Sequence, residues 1–268
     1  RVVEKPWGEA FTLEELEAAL IEHKPAILAL VHAETSTGIC QPMDGIGDLC
    51  RQHNCLLLLD TVTSLGGVPL FLDEWKVDLA YSCSQKGLSC PPGLGPFTMG
   101  PRAEEKLAAR KDKVPNWYLD VSLLNQYWGS DRVYHHTAPV NMNFGMREAL
   151  RLLAEEGLEQ AWARHRRNAE ALWSGLESMG LVMHAPEHLR LPTLTTVRIP
   201  DGVDGKAFSQ HLLNQHGIEV GGGLGTLAGK IWRIGLMGYN STPENVDRLL
   251  NLFDTELPKF SQASVAAA

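Results

Sequence analysis

Cys55-Leu56-Leu57-Leu58-Leu59-Asp60-Thr61-Val62-Thr63-Ser64-Leu65-Gly66-Gly67 runs from five apolar residues into a carboxylate and then into a polar, glycine-ended turn. A strand that is apolar at every position is one covered on both faces, the habit of parallel sheets in α/β proteins. Ala26–Val31 upstream and Asp78–Ser82 downstream have the same texture. Polar loop residues follow each: His32-Ala33-Glu34-Thr35-Ser36-Thr37-Gly38 after Val31, and Tyr81-Ser82-Cys83-Ser84-Gln85-Lys86-Gly87 after Ala80. Open parallel sheets bind ligands just outside the carboxyl ends of their strands, so the three loops are expected to converge on one site.

Working outward, Thr12-Leu13-Glu14-Glu15 has the pattern of a capping box, and Leu13, Leu16 and Leu20 form an apolar stripe at helical spacing. A second helix is predicted over Asp44–His53. Beyond residue 145 the texture changes to helices over Met146–Glu156 and Leu158–Met179. A strand (Thr195–Ile199), a helix (Lys206–His216), short strands (Ile218–Val220 and Ile231–Ile234) and a helix opened by Thr242-Pro243-Glu244 follow. The expected architecture is a mostly parallel α/β sheet covered by helices with a smaller C-terminal α+β domain. Its predicted divisions are 1–150, 151–262 and a frayed tail at 263–268. The Gly221–Gly225 run lacks a following dinucleotide-type helix and reads as a mobile turn.

With 268 residues, 44% hydrophobic and 21% charged, the composition is that of an ordinary globular protein. A net charge of −8 argues against nucleic acid or an anionic membrane as partner. No apolar run approaches the ~20 residues of a membrane helix. The five cysteines form no C-x-x-C pair and read as buried small hydrophobes in a reducing compartment. His135 and His136 are adjacent and not one helical turn apart, so no metal site is predicted. Arg1 follows no leader and Ala268 ends no S-K-L address, so the expectation is a cytoplasmic, non-secreted chain, with peroxisome and mitochondrion left open.

Asp60 and Lys86 carry the chemistry. Alone, Asp60 would be a helix cap or an arginine's partner, and Lys86 a solvated surface charge. An ionised carboxylate directly after five apolar residues, however, needs something cationic to meet it. Lys86 stands at the end of the next predicted strand, among Ser, Gln and Gly. Together they supply what pyridoxal phosphate needs from its protein: an amine to form the imine, and an acid group to keep the pyridine nitrogen protonated. Arg233 sits inside the apolar segment Ile231–Ile234, where a guanidinium needs an anion, either a ligand's or a protein carboxylate.

Leu58–Gly67, Tyr81–Leu88 and Pro91-Pro92-Gly93 resemble the class V, fold-type I aminotransferases, and specifically the alanine–glyoxylate/serine–pyruvate aminotransferase group. Glu34–Gly38, Trp128-Gly129, Tyr134–Thr137, Arg190–Thr193, Gly222–Gly225 and Arg233–Gly235 extend the resemblance in order over nearly the whole chain. It implies a transaminase moving an amino group from alanine or serine to glyoxylate or pyruvate through a Lys86 aldimine, with Lys86 then carrying the proton. Asp60 would pair with the pyridine nitrogen, Val62 would pack on the ring, Thr35 would sit near its substituents and Gln85 would help hold the phosphate. Tyr134 and Thr137 would reach the phosphate of a neighbouring subunit in a homodimer; from the residues alone, they read as loop packing. Arg233 would clamp the substrate carboxylate with its bidentate fork.

The family's dimer-crossing arm, its small-residue phosphate loop and its ring-stacking aromatic have no counterpart here. The expectation is therefore a chain lacking the family's N-terminal portion, with weakened cofactor binding and an exposed sheet edge. Two alternatives follow. One is a truncated, non-catalytic homologue that dimerises. The other is a class V lyase or cysteine desulfurase, against which Gln85 stands where a desulfurase carries histidine.

Overall fold

A computed structural model describes residues 1–261. Residue 262, at the end of the expected C-terminal domain, and the expected tail at 263–268 lie outside the described residues.

The three apolar runs fold side by side. In chain order the first strands are β1 (Ile27–Val31), the short hairpin β2–β3 (Ala33–Glu34 and Ile39–Cys40), β4 (Leu56–Asp60), β5 (Leu79–Tyr81) and β6 (Phe97–Met99). The larger sheet has the order β1-β4-β5-β6. Its first two pairings are parallel and the third antiparallel, so the sheet is mostly parallel as predicted. The register sets Val31 beside Asp60 and Asp60 beside Tyr81, bringing the strand ends level.

Helices α1 (Leu13–His23) and α2 (Ile46–Gln52) cover one face. The capping box is formed at both ends: Thr12 Oγ1 accepts from the Glu15 N–H at 3.3 Å, and the Glu15 carboxylate accepts from the Thr12 N–H at 2.9 Å. Leu16 and Leu20 from α1 and Ile46 and Leu49 from α2 are buried with Leu30, Leu57 and Leu59 of the sheet. Asp78, itself buried, accepts from the Leu57 N–H at 2.8 Å and from Arg102 at 3.0 Å. Arg102 belongs to α3 (Pro101–Ala108), which precedes α4 (Val121–Trp128); sequence reading did not resolve either helix.

Two expectations meet at β1, cover on both faces and an exposed sheet edge, and the structure shows the second. β1 is not covered on both faces, because Ile27 and Val31 are 47% and 38% exposed. β1 is an outer strand, and alternation sends residues 27, 29 and 31 to one face, which no described residue closes over. Continuous apolarity here marks an edge strand with one open face.

The second half holds α5 (Val140–Glu156), α6 (Leu158–Ser178), β7 (Leu194–Arg198), α7 (Gly205–His216), β8 (Gly221–Gly222), β9 (Ile231–Gly235) and α8 (Pro243–Glu256). The antiparallel sheet β7-β9-β8 packs on Leu172, Trp173 and Leu176 of α6, Phe208 and Leu212 of α7, and Leu249 and Phe253 of α8. The strand expected at Ile218–Val220 lies instead at Gly221–Gly222. Val220 is buried as core filler, and ladder pairing to β9 begins one residue later. The Gly221–Gly225 run, expected as a mobile turn, forms β8 and then enters a 3₁₀ turn at Gly225–Leu227.

Side-chain bonds tie this half to the first. Thr196 Oγ1 donates to Thr37 O at 2.8 Å, and Thr193 Oγ1 to Thr63 O at 3.2 Å. Neither α4 nor α5 buries a residue, and Trp117, Trp128, Tyr134, Phe144 and Leu152 are all more than half exposed. Among the described residues no helix is long and apolar enough to cross a membrane. All five cysteines are free.

Candidate active site

β4 ends on Asp60, and both of its oxygens are held. The Val62 N–H donates to Oδ1 at 2.9 Å, an Asx-type closure two residues on. The Tyr81 hydroxyl, from the last residue of β5, donates to Oδ2 at 2.6 Å. The carboxylate keeps the Tyr81 proton in place, pushing that phenol up to about 12. Sequence reading quoted Tyr81 at the end of a strand and the start of a loop but gave it no role in the site. The signal that could have found it is the parallel register, which sets Tyr81 directly beside Asp60.

The two following loops interlock. Thr61 N–H and Oγ1 both donate to Tyr81 O, at 2.9 and 2.8 Å, and Ser82 Oγ donates to Thr61 O at 3.0 Å. Gly87 lies so close to the other loop that a Cβ there would stand 2.3 Å from Leu65 O. Lys86, immediately before that contact, is half-buried, and its ammonium has no hydrogen bond or ion pair with a described residue. Val62 is half-buried as well, whereas Gln85 is exposed.

Arg233 arrives from the other half of the chain, at the centre of β9. Its Nε donates to Gly222 O at 2.7 Å and its Nη1 to Thr35 O at 3.4 Å. No carboxylate of a described residue pairs with it, so the competing protein salt bridge is absent among these residues. The structure thus brings Thr35 and Arg233 together across 198 positions. Tyr134 and Thr137 are bonded to each other, Oη to Oγ1 at 2.6 Å, and make no bond to the Asp60 or Lys86 loops. Tyr134 is 70% exposed.

Residues 2–249 match the sequence pattern of the aminotransferase class-V family. The chain belongs to the class-V aminotransferases. Within that family it is 45% identical to the alanine–glyoxylate aminotransferase of Oryctolagus cuniculus, over 96% of this chain and 67% of that protein. It is 40% identical to the (S)-ureidoglycine–glyoxylate transaminase of Bacillus subtilis, over 91% of this chain and 63% of that one. The crystal structure of an alanine–glyoxylate aminotransferase from Nostoc sp. superposes with a TM-score of 0.92 at 66% identity, covering 94% of this chain and 67% of that one. The chain therefore spans roughly two thirds of the length of the class-V aminotransferases it matches, and the mostly parallel fold read from the sequence is theirs.

Proposed function

We propose that this chain is the major part of a pyridoxal-phosphate transaminase that moves an amino group from alanine or serine to glyoxylate or pyruvate. One observation carries the reading. Beyond the carboxyl ends of two adjacent parallel strands stand a carboxylate with both oxygens fixed and, in the next loop, a lysine amine without a partner among the described residues. The donor set fits pyridoxal phosphate, which joins its protein through an amine and keeps its ring nitrogen protonated against an acid.

When bound, the cofactor supplies an electron sink for the bond breaking at the substrate's Cα. In the proposed division of labour, Lys86 holds the cofactor and, once released as a free amine, moves the proton from Cα. Asp60, oriented by Val62 N–H and Tyr81, holds a proton at the ring nitrogen. Val62 packs against the ring, Thr35 lies near its substituents and Gln85 reaches its phosphate. Arg233 turns its fork from two backbone carbonyls to the substrate carboxylate, a two-point contact that also sets the orientation of Cα.

Tyr134 and Thr137 act on a second subunit. Their exposure, their mutual bond and the uncovered apolar residues of α4 and α5 support a homodimer in which each copy completes the other's phosphate site.

Purified protein mixed with pyridoxal phosphate and alanine tests this. Wild type is expected to show the cofactor's visible band and to convert glyoxylate to glycine. Lys86→Ala is expected to lose the band and to slow turnover at least 10²–10⁴-fold, the range for a positioned acid–base group. Wild type without the band, or Lys86→Ala with undiminished turnover, would refute the assignment.

A further inference from the structure

α7 and α8 meet at one polar spot far in sequence from the Asp60–Lys86 loops. His211 lies in α7, His216 is its last residue, and Glu256 is the last residue of α8. One donor atom from each falls within 4.8 Å of the other two, and all three side chains are half-buried. His211 Nε2 and Glu256 Oε2 are 2.7 Å apart, and the two imidazole rings stand 5.3 Å centroid to centroid in an edge-on arrangement.

The helices that present these groups are seated by Phe208, Leu212 and Phe253, each 1% exposed or less. The donors therefore project from fixed backbones. Glu256 uses only Oε2 towards His211. Its Oε1 accepts from Lys259 at 2.7 Å, which orients the carboxylate from outside. Arg248 donates to the backbone carbonyl of His216, not to its imidazole.

We propose that His211, His216 and Glu256 form a binding site for a divalent transition metal of the zinc class. Two imidazoles and one carboxylate are a donor set for Zn²⁺, which takes nitrogen at ~2.0–2.1 Å and carboxylate oxygen at ~2.0–2.2 Å and so spaces tetrahedral ligands roughly 3.3 Å apart. Reaching that spacing needs the His211–Glu256 pair to open by about half an ångström and His216 to swing in by at most about 1.5 Å, both within side-chain rotation. Three protein ligands leave a fourth position for water or another small ligand. The ion would clamp the end of α7 to the end of α8. Sequence reading found no metal site because it sought ligands one helical turn apart. Here the two histidines are five residues apart, and the carboxylate comes from the last helix.

Zinc titration of the purified holoprotein by calorimetry, with thermal unfolding alongside, tests the site against two variants. His216→Ala keeps the His211–Glu256 pair, and Glu256→Gln keeps an acceptor for His211, so both are expected to fold and to unfold near the wild-type temperature without metal. Wild type is expected to bind one zinc and to gain thermal stability from it. Each variant is expected to lose at least ~10-fold in affinity together with that gain, as weakened metal sites do. Zinc uptake equal in wild type and His216→Ala, as adventitious binding at thiols would give, overturns the proposal. So does absence of uptake by wild type.

Discussion

Tyr81 gives its phenolic hydrogen to Asp60 across neighbouring parallel strands, Oη to Oδ2, at 2.6 Å. The partnership fixes the carboxylate on the side that the Val62 N–H leaves open. Because the charged carboxylate favours the neutral phenol, Tyr81 holds its proton to about pH 12 and not ~10. Its contribution is thus complete below pH 10 and is lost as pH rises through 12. An alkaline absorbance titration should show one of the five tyrosines ionising late. Asp60→Asn should return that tyrosine towards 10, and an unchanged late ionisation in Asp60→Asn would count against the contact. Tyr81→Phe should cost about 1 kcal/mol of cofactor affinity, below the ~1.5–3 kcal/mol of a buried charged hydrogen bond because Tyr81 is partly exposed.

Arg233→Lys should separate clamp from chemistry. Lysine can reach one carbonyl or one carboxylate oxygen but cannot reproduce the planar fork. Steady-state kinetics should show KM for the amino acid rising about tenfold, ~1.4 kcal/mol, with a much smaller change in kcat. A KM left at the wild-type value would place the substrate carboxylate elsewhere.

Gly87→Ala would thrust a methyl group towards Leu65 O, with 2.3 Å available. The loop bearing Lys86 would have to shift, at ~1–3 kcal/mol, as for other overpacked sites. Gly222→Ala, with nothing within 4 Å of a Cβ, serves as the control and should stay within ~0.5 kcal/mol. Urea midpoints of the two variants make the comparison, and equal midpoints would mean the loops are looser than their packing implies.

His32 provides an acid-sensitive core element. It is 3% exposed, lies edge-on to Trp75 at 5.1 Å, and its Nδ1 has no partner among the described residues. Burial pulls its imidazole down to about 4 and pushes the neighbouring Cys40 thiol, 3.4 Å from Nε2, up to about 11, so both stay neutral. A depressed histidine contributes fully above ~6.5, and the contribution fades as pH falls towards 4, on the order of 3 kcal/mol in all. Denaturation midpoints should therefore drop across that window, and His32→Gln should flatten part of the slope. His165 and His184, which burial also pulls down, add to the slope, and carboxylates held low by their partners, such as Glu156 beside Arg164, add to it at the acid end. An identical slope in His32→Gln would remove His32 from the account.

Asp60 is suspect in sequence because it follows five residues too apolar to leave a charge unexplained, and Lys86 because it stands in a Ser/Gln/Gly loop just beyond the next predicted strand, so near neighbours point to both. Strand identity and the Thr12–Glu15 cap are legible for the same reason: they depend on near neighbours. What escapes depends on pairing. Tyr81 gains its role only from the register beside Asp60. The open face of β1 depends on its place at the sheet edge, and the displaced strand at Gly221–Gly222 on where β9 offers hydrogen bonds. Arg233 is suspect in sequence, but that its neighbours are carbonyls and not a carboxylate emerges only when Gly222 and Thr35 close around it.

The reach of Arg233 to Thr35 also sets a timetable. Ribosomes extend chains at ~5–20 residues per second, so the 233 − 86 = 147 residues separating Arg233 from Lys86 take about 7–30 s to make. For that interval the nascent chain can assemble its loops around Asp60 and Lys86 while Arg233 is still unsynthesised. If Arg233 clamps the substrate carboxylate as proposed, selectivity for a carboxylate-bearing substrate is acquired only after the loops that carry Asp60 and Lys86 exist.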